Sequence, residues 1–290
     1  MQYDAIIIGA GQAGPGVAAH FAAEGQKVAL IEGDRLGGTC LNHGCRPTKT
    51  LRMSARAAHM ARRAAEYGVN VGPIEVDFAA VMARKDRIIG GMQEGTDKYF
   101  HSLDNVDVIY TYGHFLEPEN GLFRVQVGDD VISADRVYIN TGARATIPPI
   151  DGINAVTYMT NVELLQLDRL PDHLIIVGGS YIGLEFGQMF RRFGSQVTII
   201  EAGQHIAARE DADIAASITE LLETEDIRLI TNSHATAAIQ AADGTITVTV
   251  VVHPPLGGGG QLIPIITDDD KVTITEAPTR ITEGAAITQL

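Results

Sequence analysis

Two cysteines, Cys40 and Cys45, are the only thiols in the 290-residue chain, and they lie five positions apart. A helix is predicted from Thr48 to Tyr67, and Pro47 before it suits a first helical turn because its missing N–H costs nothing there. This arrangement places both cysteines at the N-terminal end of a helix, where the helix dipole favours a thiolate. Lys49 adds a positive charge one turn further on. Together these features predict a redox-active disulfide.

Two other interpretations stay open for this pair: buried structural thiols, or half of a metal site. Metal-binding cysteine pairs are usually about two to four positions apart and are accompanied by a second pair. The sequence contains no second pair, so it predicts no metal site.

A dinucleotide-binding fingerprint precedes the cysteines. The apolar strand Tyr3 to Ile8 is followed by Gly9, Gly11 and Gly14 in the spacing GxGxxG, then by a helix over 15–24 and a strand over 27–31. The first glycine permits a tight turn, the second lets a pyrophosphate approach the backbone, and the third lets the helix pack on the strand. Glu32 ends the second strand, where a carboxylate accepts hydrogen bonds from a ribose.

The fingerprint recurs about 170 residues later. A strand over 174–177 leads into a turn with Gly178 and Gly183, and Ser180 stands where the middle glycine is usual. A helix over 182–193 and a strand over 197–200 follow, ending in Glu201. A carboxylate there accepts the ribose hydroxyls and repels a 2′-phosphate, so NADH is favoured over NADPH. The chain therefore has two predicted nucleotide sites.

The remaining segments predict an α/β fold with two Rossmann-like nucleotide-binding domains. A helix is expected over 77–103, and a small antiparallel meander over 106–140. The proline-rich run 147–152 is the best domain boundary. The predicted organisation is an FAD-binding domain with the redox disulfide, an NAD(P)H-binding domain and a tail without a clear pattern, at residues 1–148, 149–255 and 256–290.

The composition excludes several classes of partner. A net charge of −14 argues against nucleic acid and against an anionic membrane surface. No apolar run reaches the length of a membrane span, and the first residues lead directly into a strand without a targeting leader. Two cysteines are too few for a disulfide-stapled secreted fold, so a cytoplasmic protein is expected.

Residues 1–250 resemble the class I pyridine nucleotide–disulfide oxidoreductases, which include dihydrolipoamide dehydrogenase, glutathione reductase and mercuric reductase. The run GGTCLNHGCRPTK over 37–49 carries the resemblance, supported by the segments 178–185 and 141–143. His43 and Arg46 replace residues that are usually small or apolar. This difference makes the chain most similar to the mercuric-reductase-like branch.

The resemblance implies FAD on the first fingerprint and NAD(P)H on the second. It also places four further residues among those that bind the cofactors: Gly38, Thr39, Thr141 and Gly142. Family members are homodimers, but the interface domain that joins their subunits is not visible in this sequence. The implied reaction passes electrons from NAD(P)H through FAD to the Cys40–Cys45 disulfide, and from there to a small-molecule disulfide or a metal ion.

Individual roles follow from the same resemblance. Cys45 is the thiol nearest the flavin and forms the charge-transfer thiolate, whereas Cys40 is the interchange thiol that meets the substrate. Lys49 corresponds to the lysine near flavin N5, and Glu185 to its ion-pair partner. Tyr181 corresponds to the residue that covers the flavin until nicotinamide displaces it. The ordinary alternatives are a surface lysine, a helix N-terminal carboxylate and a core tyrosine.

The sequence departs from the family after about residue 252. Family members are longer and carry a later flavin-binding segment and an interface domain, so this chain is expected to lack or to have altered its C-terminal part. Two alternative functions therefore stand beside the disulfide reductase. One is an NADH diaphorase or quinone reductase that uses no thiol substrate, and the other is a nucleotide-binding fragment without turnover.

Overall fold

The structure is a computed structural model that describes residues 1–242, 244 and 246–252, together with the strands at 272–273, 279–281 and 285–289. The chain divides into two compact units, one of residues 1–50 and 83–144 and the other of residues 51–82 and 145–290. The division cuts two helices, since the helices at 45–62 and 78–101 each contribute residues to both units.

The first unit is built on a parallel sheet in the order β3-β2-β1-β7, beside a three-stranded antiparallel sheet β4-β5-β6. These strands are β1 (Ala5–Ile8), β2 (Val28–Glu32), β3 (Val106–Tyr110), β4 (Gly113–Glu119), β5 (Leu122–Val127), β6 (Asp130–Ala134) and β7 (Val137–Ile139). Its helices are α1 (Gly14–Ala23), α2 (Gly38–Asn42), the start of α3 (Cys45–Arg62) and most of α4 (Phe78–His101).

The parallel sheet is covered on both faces, which explains the continuous apolar runs of its strands. On one face, Ile7 and Leu30 pack in a cluster with Ala18 and Phe21 of α1. On the other face, Ile6 and its neighbours pack against the antiparallel sheet. Since β1 is central and fully buried, the loop that follows it is held firmly at the carboxyl edge of the sheet.

The second unit contains a parallel sheet in the order β11-β10-β9-β16-β8 and an antiparallel sheet in the order β12-β13-β15-β14. Its strands are β8 (Tyr158–Met159), β9 (His173–Val177), β10 (Gln196–Ile200), β11 (Ile227–Ile230), β12 (Ser233–Gln240), β13 (Ile246–Val252), β14 (Val272–Thr273), β15 (Thr279–Ile281) and β16 (Ala285–Gln289). Its further helices are α5 (Asn161–Leu164), α6 (Tyr181–Phe193) and α7 (Ala212–Thr224).

Part of the predicted tail, which has no clear sequence pattern, belongs to the parallel sheet of the second unit. Strand β16 runs parallel to β9 over its whole length and also pairs with β8. The rest of the predicted tail from residue 256 onward, apart from β14 and β15, lies outside the described residues.

The core of the second unit is formed by α6 together with residues from α3 and α4. Phe78 of α4 lies 5.8–6.0 Å, ring centre to ring centre, from Phe190 and Phe193 of α6. Leu51 and Ala55 of α3 are fully buried in the same cluster. The segment 51–82 is thus part of the hydrophobic core of this unit.

A half-buried ion pair joins α6 to the residue that follows α7. Glu225 accepts two hydrogen bonds from Arg192, at 2.6 and 2.7 Å, and one from Gln188 at 2.9 Å. Burial by itself would raise the pKa of Glu225, but the hydrogen bonds and charge of Arg192 outweigh it and hold that pKa below its usual range. The pair therefore stays ionised and fixes the two helices together at neutral pH.

The predicted α/β fold class with nucleotide-binding units and a small antiparallel meander is confirmed. Among the described residues, no helix combines the length and the apolar character needed to cross a membrane.

Candidate functional site

Both glycine loops depend on very close backbone packing. Gly9 has φ +100° and Gly178 has φ +117°, values that a residue with a side chain rarely adopts. A Cβ at Gly14 would overlap the carbonyl oxygen of Gly9, and a Cβ at Gly183 would overlap that of Gly178. The helix after each loop can therefore approach the strand before it only because these positions carry no side chain.

The middle position of each loop is open. A Cβ at Gly11 would meet nothing closer than the side-chain amide of Asn140, at 3.4 Å. The equivalent residue of the second loop, Ser180, is the exposed N-terminal cap of α6 with an ordinary φ of −86°. A serine at this position therefore causes no backbone strain. These two open positions leave the N-terminal ends of α1 and α6 accessible to a phosphate group.

Asn140 supports the first glycine loop, a role that its local sequence does not predict. Its backbone N–H donates to the carbonyl of Ile8 at 2.7 Å, and its side-chain Nδ2 donates to the carbonyl of Gly9 at 3.0 Å. The amide side chain thus holds the first glycine of the loop from a strand that comes 131 residues later. The only local signal was its place at the end of β7, immediately before Thr141 and Gly142.

The carboxylate of Glu32 is bonded to the first loop. Oε2 accepts the backbone N–H of Ala10 at 2.8 Å, and Oε1 accepts that of Asp34 at 2.9 Å. A carboxylate has about four lone-pair positions, so both oxygens can still accept ribose hydroxyls. Glu32 therefore positions the loop and leaves acceptors at the predicted adenosine end of the site.

Glu201 repeats this arrangement in the second unit. Its Oε2 accepts the backbone N–H of Gly179 at 2.6 Å, and its Oε1 accepts that of Gly203 at 2.7 Å. A Cβ at Gly179 would lie 2.8 Å from Ile206, which shows how tightly the segment after β10 encloses the loop. The two loops are thus built on the same plan in separate units.

The cysteine segment packs directly on the first glycine loop. The backbone N–H of Gly37 donates to the carbonyl of Ala10 at 2.8 Å. Gly38 has φ +55°, and a Cβ there would lie 2.6 Å from the Cα of Gly11. Any dinucleotide phosphate bound at the loop would therefore lie beside the start of the segment that carries the cysteines.

The placement of the cysteines corrects one sequence expectation. Cys45 is the first residue of α3, as expected, but Cys40 lies in the separate short helix α2. The expectation of a single helix end was wrong because α2 already ends at Asn42. The next residue, His43, has a φ of −136°, which is not helical, and Gly44 connects it to α3. Only Cys45 therefore has the electrostatic benefit of the α3 N-terminus.

The two thiols are free and adjacent in the structure, with Cys40 half-buried and Cys45 exposed. Burial raises the pKa of the Cys40 thiol, and a hydrogen bond to the Cys45 side chain and its charge raise it further. The charge of Arg46 and the backbone N–H of Cys45 act in the opposite direction but do not outweigh these effects. The environment of the Cys40 thiol thus disfavours its ionised form.

The other predicted site residues fall in both units. Thr39, Lys49, Thr141 and Gly142 lie in the first unit, and all four are exposed. Tyr181 and Glu185 lie on the first turns of α6 in the second unit, and Tyr181 is 68% exposed. Tyr181 is therefore not a core tyrosine, which was its ordinary structural alternative.

The chain is similar to known proteins in both sequence and fold. The sequence profile of the family described as "Pyridine nucleotide-disulphide oxidoreductase" matches residues 3–260. Mercuric reductase from Bacillus cereus is 35% identical over 265 residues, which cover 90% of this chain and 40% of that protein. A dihydrolipoyl dehydrogenase from Bacillus subtilis (strain 168) is 34% identical over 242 residues, covering 83% of this chain and 53% of that protein.

A third relative is also known as a solved structure. The probable pyridine nucleotide-disulfide oxidoreductase RclA of Escherichia coli (strain K12) is 38% identical over 239 residues, covering 80% of this chain and 50% of that protein. The structure of the HOCl-induced flavoprotein disulfide reductase RclA from Escherichia coli superimposes with a TM-score of 0.76 at 32% identity. It is matched over 99% of this chain and 56% of its own chain.

Two parallel-sheet units, each with a glycine loop and a carboxylate at the end of its second strand, place the chain in the class of proteins with two Rossmann-like nucleotide-binding units. Within that class, the chain belongs to the pyridine nucleotide–disulphide oxidoreductase family. It spans about half the length of the relatives it matches. Family members are FAD flavoproteins that use NAD(P)H, so the predicted pair of cofactors is confirmed at the level of the family.

Proposed function

We propose that this chain passes electrons from NADH, through FAD, to a disulfide between Cys40 and Cys45. The observation that carries the proposal is the packing of Gly38 against Gly11, which joins the cysteine segment to the first nucleotide loop. A redox pair attached to a dinucleotide loop is suited to exchanging electrons with whatever that loop binds.

The first loop has the features that FAD requires. The open N-terminal end of α1, kept free of side chains at Gly9, Gly11 and Gly14, would hold the pyrophosphate. The remaining acceptors of Glu32 would hold the adenosine ribose. Gly38, Thr39, Thr141 and Gly142 lie in the same unit and complete the proposed FAD site. Bound FAD would supply two-electron redox chemistry between a pyridine nucleotide and a disulfide.

The second loop has the corresponding features for NADH. Gly178 and Gly183 shape the turn, and Glu201 provides the acceptors for the adenosine ribose. We assign Tyr181, exposed on the first turn of α6, to the nicotinamide end of this site, where it shields the reacting groups until nicotinamide arrives. We assign Lys49 a catalytic role at the FAD site of the first unit, and Glu185 a catalytic role in the second unit.

The two cysteines have different proposed roles in the transfer of electrons to the substrate. Reduction of their disulfide by two electrons and one proton gives one thiol and one thiolate. Cys45, at the N-terminus of α3, is the favoured thiolate. Cys40 is the thiol that attacks the substrate. A small-molecule disulfide would be reduced by thiol–disulfide exchange, and a soft metal ion would be bound by the two sulfurs before reduction. A reducing cytoplasm is the proposed compartment.

The donor preference follows from Glu201. With a dye as acceptor and FAD in excess, we expect a lower Michaelis constant for NADH than for NADPH. The reason is that placing a 2′-phosphate against this carboxylate costs about 1–3 kcal/mol, or roughly five- to 150-fold. Steady-state kinetics with both donors measure the ratio of the two Michaelis constants. Glu201→Gln should reduce that ratio, because it removes the negative charge while keeping an acceptor for the Gly179 N–H. Glu32→Gln is the matched control in the first unit and should leave the ratio unchanged. Equal or better use of NADPH by the unmodified chain would contradict the assignment.

The experiment that tests the proposed function is a count of free thiols after anaerobic reduction with NADH, set against the reduction of a dye. Thiols that appear on reduction support the disulfide reductase. Dye reduction without new thiols would instead favour the diaphorase, and the absence of both would favour a nucleotide-binding fragment.

A further inference from the structure

The cysteine segment contacts the first glycine loop at three points, and one of them depends on a side chain. The Gly37–Ala10 hydrogen bond and the Gly38–Gly11 packing are contacts of the backbone. The third contact joins the side-chain Nε2 of Gln12 to the sulfur of Cys40 at 3.5 Å, which is within hydrogen-bonding distance for sulfur. The Gln12 side chain is exposed.

The chemistry of this contact is specific. The nitrogen of a side-chain amide is a donor only, and an N–H donor stabilises a sulfur more strongly when the sulfur is negative. The environment of Cys40 otherwise disfavours the charged form, because burial and the neighbouring Cys45 raise its pKa. Arg46 and the Cys45 backbone N–H oppose that effect. The Gln12 amide is one more group that stabilises the thiolate form of Cys40.

We propose that Gln12 is a positioning residue that holds the Cys40 sulfur against the nucleotide loop and stabilises its thiolate. Its importance for turnover rests on the proposed function, in which Cys40 attacks the substrate. The contact itself is a property of the first unit and can be measured without turnover.

The test uses the full chain in a Cys45→Ser background with FAD in excess. Cys40 is then the only thiol in the protein. Its rate of alkylation by iodoacetamide is followed against pH for this background, and again after adding Gln12→Leu or Gln12→Asn. The asparagine keeps the amide but is one methylene too short to reach the sulfur. Gln126→Leu is the matched control, because Gln126 is exposed and its side-chain amide donates to the Gly128 carbonyl in the β5–β6 turn.

Both Gln12 variants should move the midpoint of the rate–pH profile to higher pH. At pH 7 the rate should fall about two- to fivefold, because a lost hydrogen bond to a thiolate is partly offset by the greater nucleophilicity of a more basic sulfur. The plateau at high pH should not fall, and Gln126→Leu should match the background. Identical profiles in the Gln12 variants and the background would overturn the proposal. So would a changed plateau with an unchanged midpoint, since that result means altered access alone.

The outcome is independent of the proposed function. Alkylation requires neither NADH nor a disulfide substrate, so a failure of Gln12 would leave the thiol count after NADH reduction unaffected. Conversely, a shifted profile would stand even if NADH produced no thiols.

Discussion

Replacing Gly14 with alanine should lower the affinity of the chain for FAD by about a hundredfold or more. The new Cβ would overlap the carbonyl oxygen of Gly9 and lie 3.0 Å from the Asn140 amide. Overpacking of this kind typically costs about 1–3 kcal/mol. Here the clash is with the backbone of the loop and cannot be relieved by a rotamer change, so the upper end, about 3 kcal/mol, is expected. Quenching of flavin fluorescence during a titration with FAD measures the change.

Gly16→Ala provides a closely matched control. Gly16 lies on the same helix two residues later, and a Cβ there would meet no atom within 4 Å. Alanine also favours a helix interior over glycine by about 0.5–1 kcal/mol. The Gly16 variant should therefore bind FAD as well as the unmodified chain and melt at an equal or higher temperature. Similar FAD affinities for the two variants would contradict the close-packing argument.

Removing either cysteine should lower NADH-dependent reduction of a disulfide by on the order of a thousandfold or more, because each is needed to form and resolve the covalent intermediate. The visible spectra should nevertheless differ. With Cys40→Ser, Cys45 is left as a thiolate at the α3 N-terminus beside oxidised flavin, and a long-wavelength charge-transfer band is expected. With Cys45→Ser, that band should be absent.

Each serine variant serves as the control for the other, since both lose one thiol and retain one. Their absorption spectra should be recorded with FAD in excess and without NADH. Indistinguishable spectra would show that the assignment of Cys45 as the thiol nearest the flavin is wrong. A band in Cys45→Ser alone would exchange the two roles.

Much of the site could be predicted because local signals agreed with one another. In both units a buried strand, a glycine turn, a helix and an acidic strand end occur in the order that a nucleotide site requires. In the structure a Cβ would clash at Gly9, Gly14 and Gly183, and Gly178 has a φ of +117° that favours glycine. The hydrogen bonds from Glu32 and Glu201 to their own loops were not predicted, because a strand-end carboxylate gives no sign of which backbone N–H it will accept.

Contacts between distant parts of the chain could not be predicted from local sequence patterns. Asn140 supports Gly9 across 131 positions, and nothing in its local sequence indicates that partner. The segment 51–82 packs in the core of the second unit, because the apolar face that includes Leu51 and Ala55 lies against aromatic residues of α6. The sequence predicts the helix from Thr48 to Tyr67 without indicating what that helix contacts. Strand β16 has a similar explanation, since its parallel pairing is set by β8 and β9.

The separation of the two cysteines between α2 and α3 had a different cause. It depends on the left-handed conformation of Gly37, on the non-helical backbone of His43 and on Gly44, which together allow one short helix to end before the next begins. The spacing of the cysteines is compatible with one helix end or with two, and only the backbone geometry distinguishes them.

The central claim, that electrons from NADH reach the Cys40–Cys45 pair, is tested most directly by counting thiols. The FAD-loaded chain is first oxidised until no free thiol reacts, and is then treated anaerobically with one equivalent of NADH and quenched with a thiol reagent. We expect two new thiols per chain, the full number that the sequence contains. In Cys40→Ser and Cys45→Ser no internal disulfide can form, so we expect NADH to produce no new thiols in either variant. Bleaching of the flavin or reduction of a dye by NADH, with the thiol count remaining at zero, would contradict it.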